Sequence, residues 1–231
     1  MGNGIRLLVF DVDGTLTGPG EPVRRGVAEK LRGLEACGFR IALASGKNAS
    51  YLFGISRGMG LKRPLIIGEN GCVIFDPVEK KDFWMGERSP EISLIEGKIR
   101  ARFGDSVWIQ PNAVALTVFS RIRGMMPEII AFSRGAIAPY RERVVVFEHP
   151  DALDVLPCGV DKGQALTEVR RQYGFTKDET AAAGDAVNDI PMFKEAALQL
   201  IIGERISYPG ALRFSTVEEA LDYIDCHLRQ G

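Results

Sequence analysis

Hydrophobic positions in this chain fall into short unbroken runs, separated by longer stretches in which apolar residues recur at helical spacing. The first run, Leu7-Leu8-Val9-Phe10, ends abruptly in Asp11-Val12-Asp13-Gly14-Thr15-Leu16-Thr17. A short apolar run bounded by turn residues predicts a strand buried on both faces, as in the middle of a parallel sheet. Gly18-Pro19-Gly20-Glu21-Pro22 reads as a loop. Val27, Leu31 and Leu34 then mark one face of a helix that Gly38 stops. Residues 39–44 are a second buried strand, ending in Ser45-Gly46-Lys47-Asn48. A helix to about Gly58 and a third strand over 64–67, ending at Gly68-Glu69-Asn70-Gly71, complete a strand-helix-strand-helix-strand run. That order predicts a doubly wound parallel sheet with right-handed crossovers.

The alternation is lost over residues 80–157. Ser89-Pro90-Glu91 opens a helix as cap and first-turn proline, with Ile92, Ile95, Ile99 and Phe103 on one face. Residues 107–119 read as strand broken near Pro111-Asn112, and 126–137 as helix. Residues 143–148 and 153–156 read as two strands around His149-Pro150-Asp151. This predicts an α+β insert, a small antiparallel sheet carrying two helices. The core then resumes with a helix from Asp161-Lys162-Gly163-Gln164 to Tyr173-Gly174, and a strand of small residues ending in Gly184-Asp185. A short helix opened by Asn188-Asp189-Ile190-Pro191 and a strand over 198–203 follow. Thr216-Val217-Glu218-Glu219 reads as a capping box for a last helix striped by Ala220, Leu221, Ile224 and Leu228. The expected fold is therefore α/β, with a core from 1–79 and 158–231 and a smaller α+β domain from 80–157.

Composition narrows the function. With 231 residues, 45% hydrophobic, the chain can bury one sizeable core with a smaller insert. Lys and Arg number 29 against 30 Asp and Glu, so the basic excess of a nucleic-acid or membrane-surface binder is missing. No segment approaches the roughly 18 apolar residues of a membrane span. The first apolar run is too short for a signal peptide. Arg6 stands where a myristoylation signal starting at Gly2 needs Ser or Thr. Cys37, Cys72, Cys158 and Cys226 are scattered, and are expected as reduced core thiols of a cytoplasmic protein rather than zinc ligands. The two histidines, His149 and His227, lack a nucleophile-elbow sequence, which argues against a Ser-His-Asp hydrolase.

Four segments place polar groups just after a buried strand or at a helix start: Asp11-Val12-Asp13, Ser45-Gly46, Lys162, and Gly184-Asp185 with Asn188-Asp189. Each alone has a plain structural reading. Asp-Gly and Ser-Gly are ordinary turns, Lys162 is a first-turn residue, and Asn188 or Asp189 could simply cap a helix. In a parallel sheet, however, three of them converge on one edge, and Lys162 joins from its helix start. Carboxylates gathered there resist desolvation unless a cation joins them, and a hard ion such as Mg2+ suits oxygen ligands. Phosphoryl transfer needs these parts: positioning, charge neutralisation and an in-line nucleophile. Asp11 would be the nucleophile, forming an aspartyl-phosphate. Asp13 would protonate the leaving alcohol and later accept a proton from water. Ser45, Gly46 and Lys162 would hold phosphoryl oxygens, with Asn188 as a polar clamp. Asp185, Asp11 and the carbonyl of Asp13 would bind Mg2+, with Asp189 completing or orienting the metal shell.

These segments, Asp11-Val12-Asp13-Gly14-Thr15-Leu16-Thr17, Ser45-Gly46, Lys162-Gly163 and Gly184-Asp185-x-x-Asn188-Asp189, resemble the four motifs of the haloacid dehalogenase superfamily, in the same chain order. The insert between the second and third motifs resembles the branch with an α+β cap at that position, which includes sugar phosphatases. Asp13 is the acid/base that the phosphatases of the superfamily have and its dehalogenases lack. Within the branch, Leu65-Ile66-Ile67-Gly68-Glu69-Asn70-Gly71 and the short cap look like the archaeal-type phosphoglycolate phosphatases. Lys47 departs from the pattern, since many sugar-phosphatase relatives carry Arg there.

The resemblance implies a HAD-like Rossmannoid core and a Mg2+-dependent phosphatase of small phosphorylated metabolites. 2-Phosphoglycolate is the first substrate expected, with a sugar phosphate or mannosyl-3-phosphoglycerate as the alternative. A cap implies a closing lid that selects substrate, and its Arg121, Arg123, Arg141 and Arg143 could pair a substrate carboxylate. No nucleic-acid or membrane partner is expected, and a homodimer is compatible with the sequence. A receiver-type phosphoacceptor module also combines acidic residues, a hydroxyl and a lysine. It would not carry an insert or an acid/base beside its phosphorylated Asp.

Overall fold

The computed structural model of the protein describes residues 4–18 and 20–228. The readings that involve Gly2 and Pro19 lie outside the described residues. In chain order the elements are β1 (Leu7–Asp11), α1 (Arg25–Ala36), β2 (Arg40–Ala44), α2 (Ala49–Met59), β3 (Leu65–Gly68), β4 (Val73–Asp76) and β5 (Lys81–Trp84). Then come α3 (Pro90–Phe103), β6 (Val107–Ile109), β7 (Leu116–Ser120), α4 (Met126–Ile137), β8 (Val144–Glu148) and β9 (Ala152–Pro157). The chain continues with α5 (Lys162–Tyr173), β10 (Thr180–Gly184), α6 (Ile190–Lys194), β11 (Leu198–Ile202), β12 (Leu212–Phe214) and α7 (Val217–Leu228).

Two compact units emerge. One is Trp84–Val160; the other is built from the chain up to Phe83 and from Asp161 onward. The larger unit carries a sheet in the order β12-β11-β10-β1-β2-β3-β4-β5. From β12 to β3 every neighbouring pair is parallel. The central strands are apolar because both faces are covered: all five residues of β1 and of β10 are buried. Leu8, Phe10, Ile41, Leu43 and Ile66 pack with Val27, Leu31 and Leu34 of α1 and Leu221 and Ile224 of α7.

The parallel core expected from the sequence is present, and one further strand runs the other way. After β3 the chain makes a tight turn and β4 returns antiparallel, Ile67 opposite Ile74. A turn this short cannot hold the crossover a parallel neighbour requires, so the direction reverses. Two edge strands, β5 and β12, have too few apolar residues to be read from the sequence. Residues 81–83 of β5 extend the core sheet.

The second unit is a four-stranded antiparallel sheet in the order β6-β7-β9-β8. Ile92, Ile95, Ile99 and Phe103 of α3 and Ile129 of α4 pack on Leu116, Val118, Leu153 and Val155 of that sheet. The Ser89 hydroxyl caps α3 at the amide of Ile92 and Pro90 occupies its first turn, as the spacing predicted.

Two local readings change. Among the described residues no disulfide is present, but Cys72 alone of the cysteines is buried; Cys37, Cys158 and Cys226 are exposed. At α7 the Thr216 hydroxyl accepts from Glu219 N, yet the Glu219 carboxylate takes the amide of Ser215 rather than of Thr216. The turn before α7 offers the earlier donor, so the box is displaced by one residue.

Candidate active site

Strand order brings the polar segments together. In the register Asp11 lies opposite Ala44, and Phe10 opposite Ala183. Asp11, Ser45 and Asp185 therefore emerge from the carboxyl ends of three adjacent parallel strands, where open α/β sheets place their ligands. Lys162 is the first residue of α5, whose N-cap is Asp161 accepting from Gln164 N at 2.8 Å.

Lys162 stands at the centre. Its Nζ donates to Asp11 Oδ1 and to Asp189 Oδ1, both at 2.7 Å, and its side chain is 1% exposed. The other Asp189 oxygen accepts from the amides of Asp185 and Ala186, both at 3.0 Å. Asp185 accepts from the Thr15 hydroxyl at 3.1 Å and from Arg205 at 3.0 Å. Asp11 Oδ2 is buried without a hydrogen-bond partner among the described residues. One carboxylate oxygen from each of Asp11, Asp185 and Asp189 lies within 4.8 Å of the others.

The charges do not balance: three carboxylates meet one ammonium and one guanidinium. Burial, followed by the Asp189 charge, outweighs Lys162 and pushes the Asp11 carboxyl up to about 8. Burial and then Asp189 raise Asp185 as well, against the pull of Thr15 and Arg205. Burial alone would favour a neutral Lys162, but Asp11 and Asp189 more than reverse it and keep the ammonium charged. A proton on Asp11, or a cation between the carboxylates, relieves the same excess. An oxygen-only donor set with an orphaned buried carboxylate oxygen fits a hard divalent ion such as Mg2+.

Close backbone approach makes two glycines necessary. Gly14 has φ +97°, and a Cβ on it would lie 2.4 Å from Asp185 Oδ2. Gly71 has φ +106°, and its Cβ would lie 2.3 Å from the carbonyl oxygen of Asp161, at the start of the Lys162 helix. Around Gly71 the turn after β3 ties the site loops together. Glu69 N donates to Lys47 O and Asn70 N to Ser45 O, both at 2.9 Å. Asn188 Nδ2 donates to Asn70 Oδ1 at 3.1 Å. Glu69 and Asn70 both adopt φ +54°, and both are buried. Left-handed backbone at two successive non-glycine residues persists only where surrounding contacts hold it.

Asp11, Lys162, Asp185 and Asp189 are thus one cluster, with Asn188 joined to it through the Asn70 turn. Ser45 is buried, its hydroxyl accepting from Lys47 N at 3.2 Å. Asp13 is partly exposed, its Oδ2 3.6 Å from Lys47 Nζ. Two of the insert's arginines are committed within their own unit: Arg143 to Glu91 at 2.5 Å, and Arg121 to the carbonyl of Val107 at 3.3 Å. The sequence reading did not single out Thr15, Asn70 or Arg205 as site residues. Thr15 and Asn70 sat inside quoted motifs as ordinary turn residues, and nothing around Arg205 distinguished it.

Comparison with known proteins agrees with this architecture. Residues 8–89 and 128–206 match the haloacid dehalogenase-like hydrolase family. The chain is 28% identical over 207 residues to a phosphoglycolate phosphatase of Methanoculleus marisnigri, covering 86% of this chain and 84% of that protein. It is 25% identical over 250 residues to the 5-amino-6-(5-phospho-D-ribitylamino)uracil phosphatase of Bacillus subtilis, covering 98% and 92%. In fold it resembles the crystal structure of a haloacid dehalogenase-like hydrolase from Bacteroides thetaiotaomicron, with a TM-score of 0.80, 19% identity and coverage of 95% and 99%. A match over most of the chain, together with this arrangement at the strand ends, identifies the protein as an enzyme of the haloacid dehalogenase-like hydrolase family.

Proposed function

We propose that this enzyme is a Mg2+-dependent phosphatase of small phosphate monoesters, working through an aspartyl-phosphate on Asp11, with 2-phosphoglycolate as its substrate. The observation that carries the reading is the buried Asp11, held by Lys162 at one oxygen and, among the described residues, without a hydrogen-bond partner at the other. A carboxylate so placed has one oxygen oriented and one available for attack.

Asp11 Oδ2 attacks phosphorus and the bond to the ester oxygen breaks. Asp13, two residues on and within reach of solvent, protonates the departing alcohol. It then takes a proton from the water that hydrolyses the aspartyl-phosphate, so one carboxyl group serves both halves. Lys162, the Ser45 hydroxyl and the Gly46 amide hold the phosphoryl oxygens, with Asn188 as an adjoining clamp. Asp11, Asp185 and the carbonyl of Asp13 would hold Mg2+. Both Asp189 oxygens already accept hydrogen bonds, from Lys162 and from the 185–186 amides, which suits it to orienting this shell. When bound, Mg2+ supplies positive charge to the transferring phosphoryl group and lets the carboxylates ionise together.

The similarity to phosphoglycolate phosphatases supports the substrate, and the ribitylaminouracil phosphatase supports a sugar-like phosphate as the alternative. The test is a phosphate-release screen over phosphorylated acids and sugars, compared by kcat/KM, with and without chelator. Highest kcat/KM on 2-phosphoglycolate, lost on chelation and restored by Mg2+, is expected. A higher value on a sugar phosphate replaces the substrate. Full turnover in chelator removes the metal from the proposal, and one retained phosphate per chain without turnover would indicate a phosphoacceptor module.

A further inference from the structure

Arg205 stands outside every motif of the site, yet it donates to Asp185 Oδ2 at 3.0 Å. The two ends of this pair differ sharply in setting: the Arg205 side chain is 67% exposed, and that of Asp185 is 4% exposed. Arg205 lies past the end of β11, which runs beside β10, so it reaches Asp185 from the neighbouring strand's loop. Lys162 is different. It is buried, bonded to two carboxylates and fixed by the start of α5. Arg205 is therefore the one of the two cations that can leave without opening the buried cluster, because most of its side chain is exposed.

From this contrast we propose that Arg205 is a displaceable tethered cation, which holds Asp185 while no divalent ion is bound and sets the affinity of the site by competing with that ion. The proposal rests on the metal reading given above. A buried acid cluster without a metal repels itself, and a guanidinium that folds over one member stabilises that state. The arriving ion needs the same carboxylate and repels the same guanidinium. Binding must then reverse the arginine contact, and the affinity falls by whatever the contact contributed. A single contact whose cation is mostly exposed is modest, so the competition costs about fivefold in affinity. Arg205 touches no reacting atom; it acts through Asp185.

Calorimetric titration with Mg2+ alone, on the intact chain and on Arg205→Gln and Arg205→Lys, tests this. Arg205→Gln should bind Mg2+ about fivefold more tightly, and Arg205→Lys should stay close to the parent. The melting temperature of the metal-free Arg205→Gln protein should fall, and the rise on adding Mg2+ should grow. In the unaltered protein labelled with 15N-arginine, the Arg205 Nε–H signal should move toward its solvent-exposed position as Mg2+ saturates. Equal or weaker Mg2+ binding by Arg205→Gln overturns the proposal, since an arginine that supports the shell would lose affinity on removal. An Arg205 signal unmoved at saturation overturns it too. No Mg2+ binding by either protein removes the metal reading, and this inference with it.

Discussion

The two ends of the core sheet each bury an aspartate, and the two are treated in opposite ways. Asp76, at the end of β4 beside the start of β2, is fully satisfied. It accepts from Arg40 at 2.7 Å, Tyr173 Oη at 2.8 Å, Val78 N at 2.8 Å and Glu79 N at 3.1 Å. Burial alone would raise it, but the amides of Glu79 and Val78, the tyrosine and the Arg40 charge hold its carboxyl below the usual carboxylate range. Asp11, at the opposite end of the parallel strands, has one bonded oxygen, one orphaned oxygen and two acidic neighbours, and is raised to about 8. A saturated acid has finished its chemistry and stabilises the fold. An unsaturated one is held ready for a partner that the fold does not supply.

The sharpest way to break this contrast is to remove each acid in turn. Asp11→Asn should lower kcat by more than about a thousandfold, as loss of a nucleophile does, with circular dichroism and melting showing an intact fold. Retained turnover would place the nucleophile elsewhere. Asp76→Ala should do the reverse. It strands a half-buried Arg40 and costs about 3 kcal/mol in denaturant unfolding, while kcat per folded molecule is unchanged. If Asp76→Ala unfolds at the parent's denaturant midpoint, the structural role assigned to that end of the sheet is wrong.

Gly71→Ala should fall between the two, affecting both fold and chemistry. Its methyl group would collide with the Asp161 carbonyl and force a strained backbone, costing about 1–3 kcal/mol and displacing the Lys162 helix start. A loss of kcat larger than the loss of folded protein, read at a temperature well below melting, would show the coupling. The smallest effect concerns Glu179, just ahead of β10, which accepts from Thr176 N at 2.8 Å and from Arg6 at 2.9 Å. The Thr176 amide first, and then Arg6, lower its carboxyl from the ordinary 4.5 to about 2. A depressed acid contributes stability above its unfolded value and loses it as the pH falls through the folded one. The melting temperature should therefore decline between about pH 4.5 and 2, and Glu179→Gln should flatten that limb. An unchanged acid limb would assign the decline to other carboxylates.

Much of this was readable in the linear sequence, for reasons that are local. Buried central strands need unbroken apolar runs, so β1, β2, β3, β10 and β11 announced themselves, and glycine or polar residues marked their ends. The helices of the insert were legible from their apolar faces, and α3 from its cap, because caps and helical spacing act within a few residues. The antiparallel return of β4 and the edge strands β5 and β12 were not, since edge strands bury little and carry no periodic signature. Thr15 and Asn70 were present in the motifs but looked like turn residues. Their partners, Asp185 and Asn188, are 170 and 118 residues away.

By itself the sequence determined the inventory: which strands are buried, which loops carry acids, hydroxyl and lysine, and that an α+β segment interrupts the core. Those features follow from local physics, the burial of apolar side chains and the conformational limits of glycine and proline. Only the tertiary structure decided what each polar group meets. It put Lys162 against Asp11 across 151 residues, left one Asp11 oxygen without a hydrogen-bond partner among the described residues, gave both Asp76 oxygens partners, and laid an exposed Arg205 on Asp185. Such meetings depend on strand order and register, which are properties of the assembled sheet and of no single stretch of chain.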